Sequence, residues 1–236
     1  MRTKTNYSLK FMALLMLGLS TVLTFSSCKD DDDDSTPAPI GSGNLMVIHA
    51  SPDAPAVDLL LDGTKINTAD VVYTDNTAYF SVTSGTRTLK VNVAGTATTA
   101  LQASLPIVKN KNYSVFAIDS VSKISGLFIE DDLTAPAAGK AHVRFIHLSP
   151  DAPAVDVAVT GGPVVFGNNS FKEFTAFTPL DAMTYNLEAR LAGTSTVVLP
   201  LPGIALTAGK IYTVYAKGFV GGAGVQALGA EIIVNN

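Results

Sequence analysis

The chain has 236 residues, enough for two small domains or one large one. It is 47% hydrophobic and 15% charged, with 19 Gly, 12 Pro and abundant Val and Thr, which predicts an all-β protein with a packed core. A net charge of −4 leaves no basic stripe for a phosphate backbone and excludes nucleic acid as a partner; one Cys excludes a disulfide framework or a cysteine-built zinc site, and three His leave little for a transition metal. No cofactor and no metal site are therefore expected.

Residues 1–27 read as a signal peptide, to be set aside from the fold. Arg2, Lys4 and Lys10 supply a positive start, and Phe11 to Phe25 is an uncharged apolar run of 15 residues. A spanning helix needs about 20, whereas a secretory signal core fits this length. Ser26, Ser27 and Cys28 follow. This arrangement resembles the lipobox of bacterial lipoproteins, with Phe25 where Leu is usual, and the resemblance implies that Cys28 is acylated and anchors the mature chain to a lipid bilayer. The alternative is an ordinary secretory signal with Cys28 left free.

After Cys28 come Lys29 and the run Asp30, Asp31, Asp32, Asp33 and Asp34, then Ser, Thr, Pro, Ala and Gly up to residue 43. Such dense like charge without apolar periodicity reads as a solvated tether over residues 28–43. Extended, it reaches at most about 50 Å. A Lys and acidic residues directly behind the Cys resemble the export signal of some Gram-negative lipoproteins, which implies an outer-membrane lipoprotein facing the cell exterior; the alternative is a plain acidic spacer. Excluding residues 1–27 removes three basic and no acidic groups, so the net charge deepens from −4 to −7.

The remainder of the chain is an internal duplication. IHASPDAPAVD over 48–58 recurs as IHLSPDAPAVD over 146–156, ten of eleven residues identical at an offset of 98. The same offset carries Tyr79 onto Phe177, Leu89 onto Leu187 and the Ala94 turn onto Ala192. After one insertion, NKNYSVFA at 110–117 falls on GKIYTVYA at 209–216. This duplication predicts one repeat over 44–133, a linker over 134–140 and a second repeat over 141–236. Within each, apolar residues alternate: Val57, Leu59 and Leu61, and their counterparts Val155, Val157 and Val159, face a core. Asp62-Gly63 has the residues of a tight hairpin turn. Tyr113 and Tyr212, each behind an Asn or Gly, have the spacing of a tyrosine corner. Each repeat is expected to be a Greek-key β-sandwich of seven or eight strands, immunoglobulin-like or transthyretin-like.

The His-x-Ser-Pro-Asp-Ala-Pro-Ala-Val-Asp signature, the strands behind it and the Gly-Lys-x-Tyr-Thr-Val element resemble the DUF4397 family, in two copies over residues 44–236. The resemblance implies a β-sandwich in a secreted or surface protein and no established activity.

Within the signature, His49, Ser51 and Asp53, repeated as His147, Ser149 and Asp151, invite a hydrolytic reading. It fails on chemistry. The residue behind each Ser is Pro52 or Pro150, which has no N–H for an oxyanion hole. A calcium or other metal site from His49, Asp53 and Asp58 lacks ligands. The expected role is a polar latch: each His ends a core strand, in phase with Leu45 and Val47 or with Val143 and Phe145. Turn backbone, or Asp58 and Asp156, would be its partners. Losing either His should then affect its own repeat separately. No catalytic residue is expected, and the chain reads as a non-catalytic binding, adhesive or structural module with an extracellular ligand, glycan or protein. A glycan-binding lipoprotein of an uptake system is the specific alternative, with Tyr73, Tyr79, Phe166 and Phe171 as the available rings, and a hydrolase built on the signature is the rival. Glu130-Asp131-Asp132 reads as a solvated end of the first repeat.

Overall fold

The computed structural model describes residues 41–236, and the signal peptide, Cys28, Lys29 and the Asp30 to Asp34 run lie outside them. Eight strands form from the first repeat: β1 (Ser42–His49), β2 (Val57–Leu61), β3 (Thr64–Lys65), β4 (Phe80–Thr83), β5 (Gly85–Val93), β6 (Thr99–Ile107), β7 (Asn112–Ile118) and β8 (Ser125–Asp131). The second repeat supplies β9 (Lys140–His147), β10 (Val155–Val159), β11 (Val164–Asn169), β12 (Thr178–Asp181), β13 (Thr184–Leu191), β14 (Val197–Ala205), β15 (Ile211–Lys217) and β16 (Gly229–Val234).

The first set makes two sheets, ordered β4-β1-β7-β8 and β3-β2-β5-β6; the second repeats the pattern as β12-β9-β15-β16 and β11-β10-β13-β14. The central pairs β1 with β7 and β9 with β15 are parallel, while the other pairs are antiparallel. An immunoglobulin sandwich sets its first two strands side by side in one sheet. Here they lie in opposite sheets in both repeats. Of the two expected topologies, the transthyretin-like one remains. The Asp62-Gly63 hairpin forms as read, with both residues at positive φ (49° and 85°) between the paired Leu61 and Thr64.

Each sandwich is filled by the alternating residues of its facing sheets. Leu45, Val47, Val57, Leu59, Leu89 and Val115 are among the buried core of the first; Val143, Phe145, Val155, Val157, Leu187 and Val214 hold the corresponding places in the second. Two-residue periodicity accounts for this half of the burial.

The other half was not foreseen. The intervening residues Met46 and Ile48 on β1, Phe116 and Ile118 on β7, Ile146 on β9 and Tyr215 on β15 form a third buried cluster shared by the two repeats. The sheet containing β1 and the sheet containing β9 therefore pack outer face to outer face, with Phe116 and Tyr215 edge-to-face at 6.0 Å. Strands buried on both faces read as nearly continuous apolar runs, as MVIH, SVFAI and FIH do.

A ring of polar side chains is sealed inside this interface. Arg144 Nη1 lies 2.6 Å from Asp131 Oδ1, an ion pair whose angle falls short of a hydrogen bond, with side-chain exposures of 2% and 0%. Asp131 Oδ2 accepts from Tyr79 Oη and Ser114 Oγ, each at 2.6 Å. Arg144 Nε donates to Thr213 Oγ1 (2.8 Å), Thr213 donates to Asn235 Oδ1 (2.8 Å), and Asn235 Nδ2 donates to Tyr79 Oη (3.1 Å), closing the ring. The Arg144 guanidinium also lies over the Phe177 ring, 4.6 Å from its centroid. The expectation that Glu130 to Asp132 is a solvated end is thus corrected for Asp131: its side chain alternates to the interface side of β8 and meets a buried arginine.

Candidate functional site

The signature lies at the ends of β1 and β9 and in the crossovers to β2 and β10, and its geometry is nearly the same in both copies. His49 is 2% exposed and His147 fully buried. His49 Nε2 lies 3.0 Å from the Pro55 carbonyl and His147 Nε2 3.1 Å from that of Pro153. A carbonyl only accepts, so Nε2 carries the proton and donates, and Nδ1 is left with its lone pair and no partner. Burial pushes both imidazole pKa values below 6.5, with the Pro55 and Pro153 bonds opposing it in part. Asp58 and Asp156, named as alternative partners, go elsewhere. Asp58 accepts from Gly95 N (3.1 Å) and meets Lys65 Nζ at 2.6 Å; Asp156 accepts from Gly193 N (2.8 Å) and Asn168 N (2.6 Å). The hydrogen bond from Lys65, with help from Gly95, holds the Asp58 carboxyl below the ordinary carboxylate range. These carboxylates fasten the hairpin turn at the far end of β5 or β13, and do not orient the imidazole.

Ser51 and Ser149 are fully buried, and each donates to a backbone carbonyl, Asp119 O at 2.6 Å or Gly218 O at 2.7 Å. The exposed carboxylates of Asp53 and Asp151 accept from Val121 N (2.7 Å) and Val220 N (3.0 Å). Serine and aspartate together grip the loop leaving β7 or β15, which the sequence did not indicate because those loops lie 68 or 69 residues away. His49, Ser51, Asp53 and Asp58 thus bond separate backbone segments, with only Ser51 and Asp53 sharing one, and do not converge. The same holds for His147, Ser149, Asp151 and Asp156.

Tyr113 and Tyr212 end as the sequence spacing suggested. Their hydroxyls accept from Val108 N (3.3 Å) and Thr207 N (3.1 Å), five residues upstream, across turns in which Asn110 (φ 62°) and Gly209 (φ 79°) take left-handed conformations.

The four rings considered for sugar stacking do not share a surface. Phe166 is buried against Phe145 in the second core. Tyr79 commits its hydroxyl to the buried ring. Tyr73 is half-buried, edge-on to His49 at 6.1 Å and under Lys217 Nζ at 5.6 Å; burial pushes its hydroxyl up to about 12. Phe171, half-buried, packs against the interface core. Tertiary packing thus uses these rings as core and seam.

A largely apolar concavity lies at the second repeat. A cavity of about 360 Å³ opens between His147, the Ala152-Pro153 pair, Ala189, Ala216 and Val220. It lies against the second signature copy and under the loop of residues 218–228. No helix among the described residues is long and apolar enough to cross a membrane.

Among known proteins, no curated sequence matches the chain. Among solved structures it is similar to one titled "The Bacillus anthracis TIE protein", at 13% identity and a TM-score of 0.25, covering 75% of this chain and 34% of that one. The chain thus spans about a third of that protein's length. Residues 43–158, from β1 through the second signature to β10, match the family described as "Domain of unknown function (DUF4397)". The match spans 116 of the 236 residues, just under half of the chain.

Proposed function

We propose that the protein is a membrane-anchored, surface-exposed lipoprotein that works without catalysis, as a binding, adhesive or structural module. The observation that carries this reading is the state of the two signature serines. A nucleophile needs an accessible hydroxyl and a base that takes its proton. Ser51 and Ser149 are fully buried and already donate to carbonyl oxygens, and each His donates to a proline carbonyl on its own loop. Ser51→Ala and Ser149→Ala are expected to lower stability by about 1 kcal/mol each, the cost of a lost hydrogen bond to a buried carbonyl. They should change no hydrolytic activity in a screen of ester, amide and glycosidic substrates. Activity that disappears with either substitution would make the chain an enzyme.

The anchor rests on Cys28 and the outward address on Lys29 and Asp30 to Asp34. Several acyl chains hold a protein to a bilayer far more firmly than one. Cys28→Ser should therefore move the protein from the membrane fraction to the soluble one. Replacing Asp30 to Asp34 by Ala should leave it anchored but facing inward, read by protease shaving of intact cells. Equal shaving of wild type and the Asp-less variant would reduce the acidic run to a spacer.

A further inference from the structure

The duplication supplies an internal control, because equivalent places in the two sandwiches can be compared residue by residue. In the first repeat the seam between β6 and β8 is closed. Phe128 on β8 stacks on Tyr113 with ring centroids 4.8 Å apart, and a methyl group added at Gly126 would lie 3.7 Å from Leu101 and 3.8 Å from Ala103. Val91, 1% exposed, fills the floor. At the corresponding places the second repeat has Ile232 for Phe128, Ala230 for Gly126 and Ala189 for Val91, as the strand registers require. Its loop from β15 to β16, residues 218–228, is longer than residues 119–124 in the first repeat. Its first residue, Gly218, has φ +78°, and a side chain there would collide with the Ala227 carbonyl, so the loop is folded back on itself.

Beneath this loop, against Ala189 and the Val198-Leu199 stretch of β14, lies the 360 Å³ cavity, within the usual range of about 300–1,000 Å³ for small-molecule sites. Its mouth is apolar: Val198 is 39% exposed and Val220 52% exposed. The same face of β16 continues outward through Ile232 and Val234, 40% and 51% exposed. The polar side chain in the wall is His147, whose Nε2–H is already given to Pro153 and whose Nδ1 is buried out of reach of the cavity surface.

We propose that this cavity is a binding site for a linear aliphatic chain, the acyl chain of a separate lipid molecule. The inference rests on the non-catalytic binding role proposed above and names its ligand class. A sugar or a peptide backbone entering here would leave its hydroxyls or amides unpaired in an apolar wall, which is costly. The neighbouring edge strand β14 carries Pro200 and Pro202, which have no N–H to pair with an added strand. An aliphatic chain has no such groups and covers valines otherwise left in water. The second signature copy both lines the site, through His147, Ala152, Pro153 and Val155, and shapes its rim: Asp151 holds Val220 N at the mouth, and Ser149 holds Gly218 O at the root of the loop.

The test uses the full chain carrying Cys28→Ser, so that no acyl chain of its own can fill the cavity. Titration with the fluorescent fatty acid cis-parinaric acid should saturate at one molecule per chain, and dodecanoate should displace it. Val220→Asp sets a carboxylate at the mouth and should weaken binding by about tenfold or more, because charge there must be desolvated. Val121→Asp, at the equivalent and similarly exposed place in the first repeat, should leave binding unchanged. Absence of saturable binding, equal weakening by both variants, or displacement by an apolar peptide but not by dodecanoate would overturn the site. Failure on these grounds leaves the non-catalytic reading standing, since that falls only with serine-dependent hydrolysis.

Discussion

Arg144→Met should be the most damaging single substitution in the molecule, lowering the unfolding free energy by about 3–5 kcal/mol. The equivalent residue in the first repeat is Met46, so the methionine side chain is compatible with this interface. What is lost is the partner of Asp131, whose side chain is fully buried and would remain there as an unpaired charge. The second repeat also shows the remedy. Asn235 stands where Asp131 stands in the first repeat, opposite Ile211 as Asp131 is opposite Asn112. Arg144→Met combined with Asp131→Asn makes the two halves alike and removes both charges. It should recover most of the loss, since replacing both members of a buried pair is often close to neutral. Urea unfolding of the two single variants and the double variant measures the coupling. Strict additivity of the single effects would mean that the pair does not hold the repeats together.

The second large effect is expected at the imidazoles. Replacing His49 or His147 by Ala leaves a buried proline carbonyl without its donor and should lower stability by about 1–3 kcal/mol. Ile48 and Ile146, the neighbours of the two histidines, belong to the shared interface core. Either loss should therefore lower one common unfolding transition, in contrast to the separate effects expected from the sequence. Protonation tests the same groups. Burial sets both folded-state pKa values below 6.5, the ordinary value. Between the folded value and 6.5 the unfolded chain binds more protons than the folded one, so stability rises with pH across that window. It is fully present above about 6.5 and is lost as pH falls toward the folded-state pKa. Thermal melts from pH 7.5 down to pH 5 should show this slope in the wild type. The slope should be shallower in either single variant and nearly flat with both histidines replaced. An unchanged slope would show that the imidazoles do not titrate on unfolding.

That this is a duplicated all-β chain is legible in the residues alone, because a nearly identical motif at a fixed offset and two-residue periodicity survive without any knowledge of contacts. So are the hairpin at Asp62-Gly63, the corners at Tyr113 and Tyr212 and the burial of His49 and His147, all of which follow from local backbone chemistry or strand phase. Where the signature's polar atoms go emerges only in the folded chain, since the loops that Ser51, Asp53, Ser149 and Asp151 hold lie 68 or 69 residues downstream. The same is true of the burial of β1, β7, β9 and β15 on both faces. Alternation tells which residues share a face but not what covers it, and here the second face is covered by the other repeat. Asp131 shows the physical reason most plainly. Among Glu130, Asp131 and Asp132 the sequence offers three like charges at a repeat end, and strand phase alone cannot reveal that one of them meets Arg144 from the other half. The divergence of the second repeat into an open cavity has the same origin: Ala189, Val198 and the longer loop at 218–228 are ordinary one at a time, and their joint effect exists only where β14 and that loop come together.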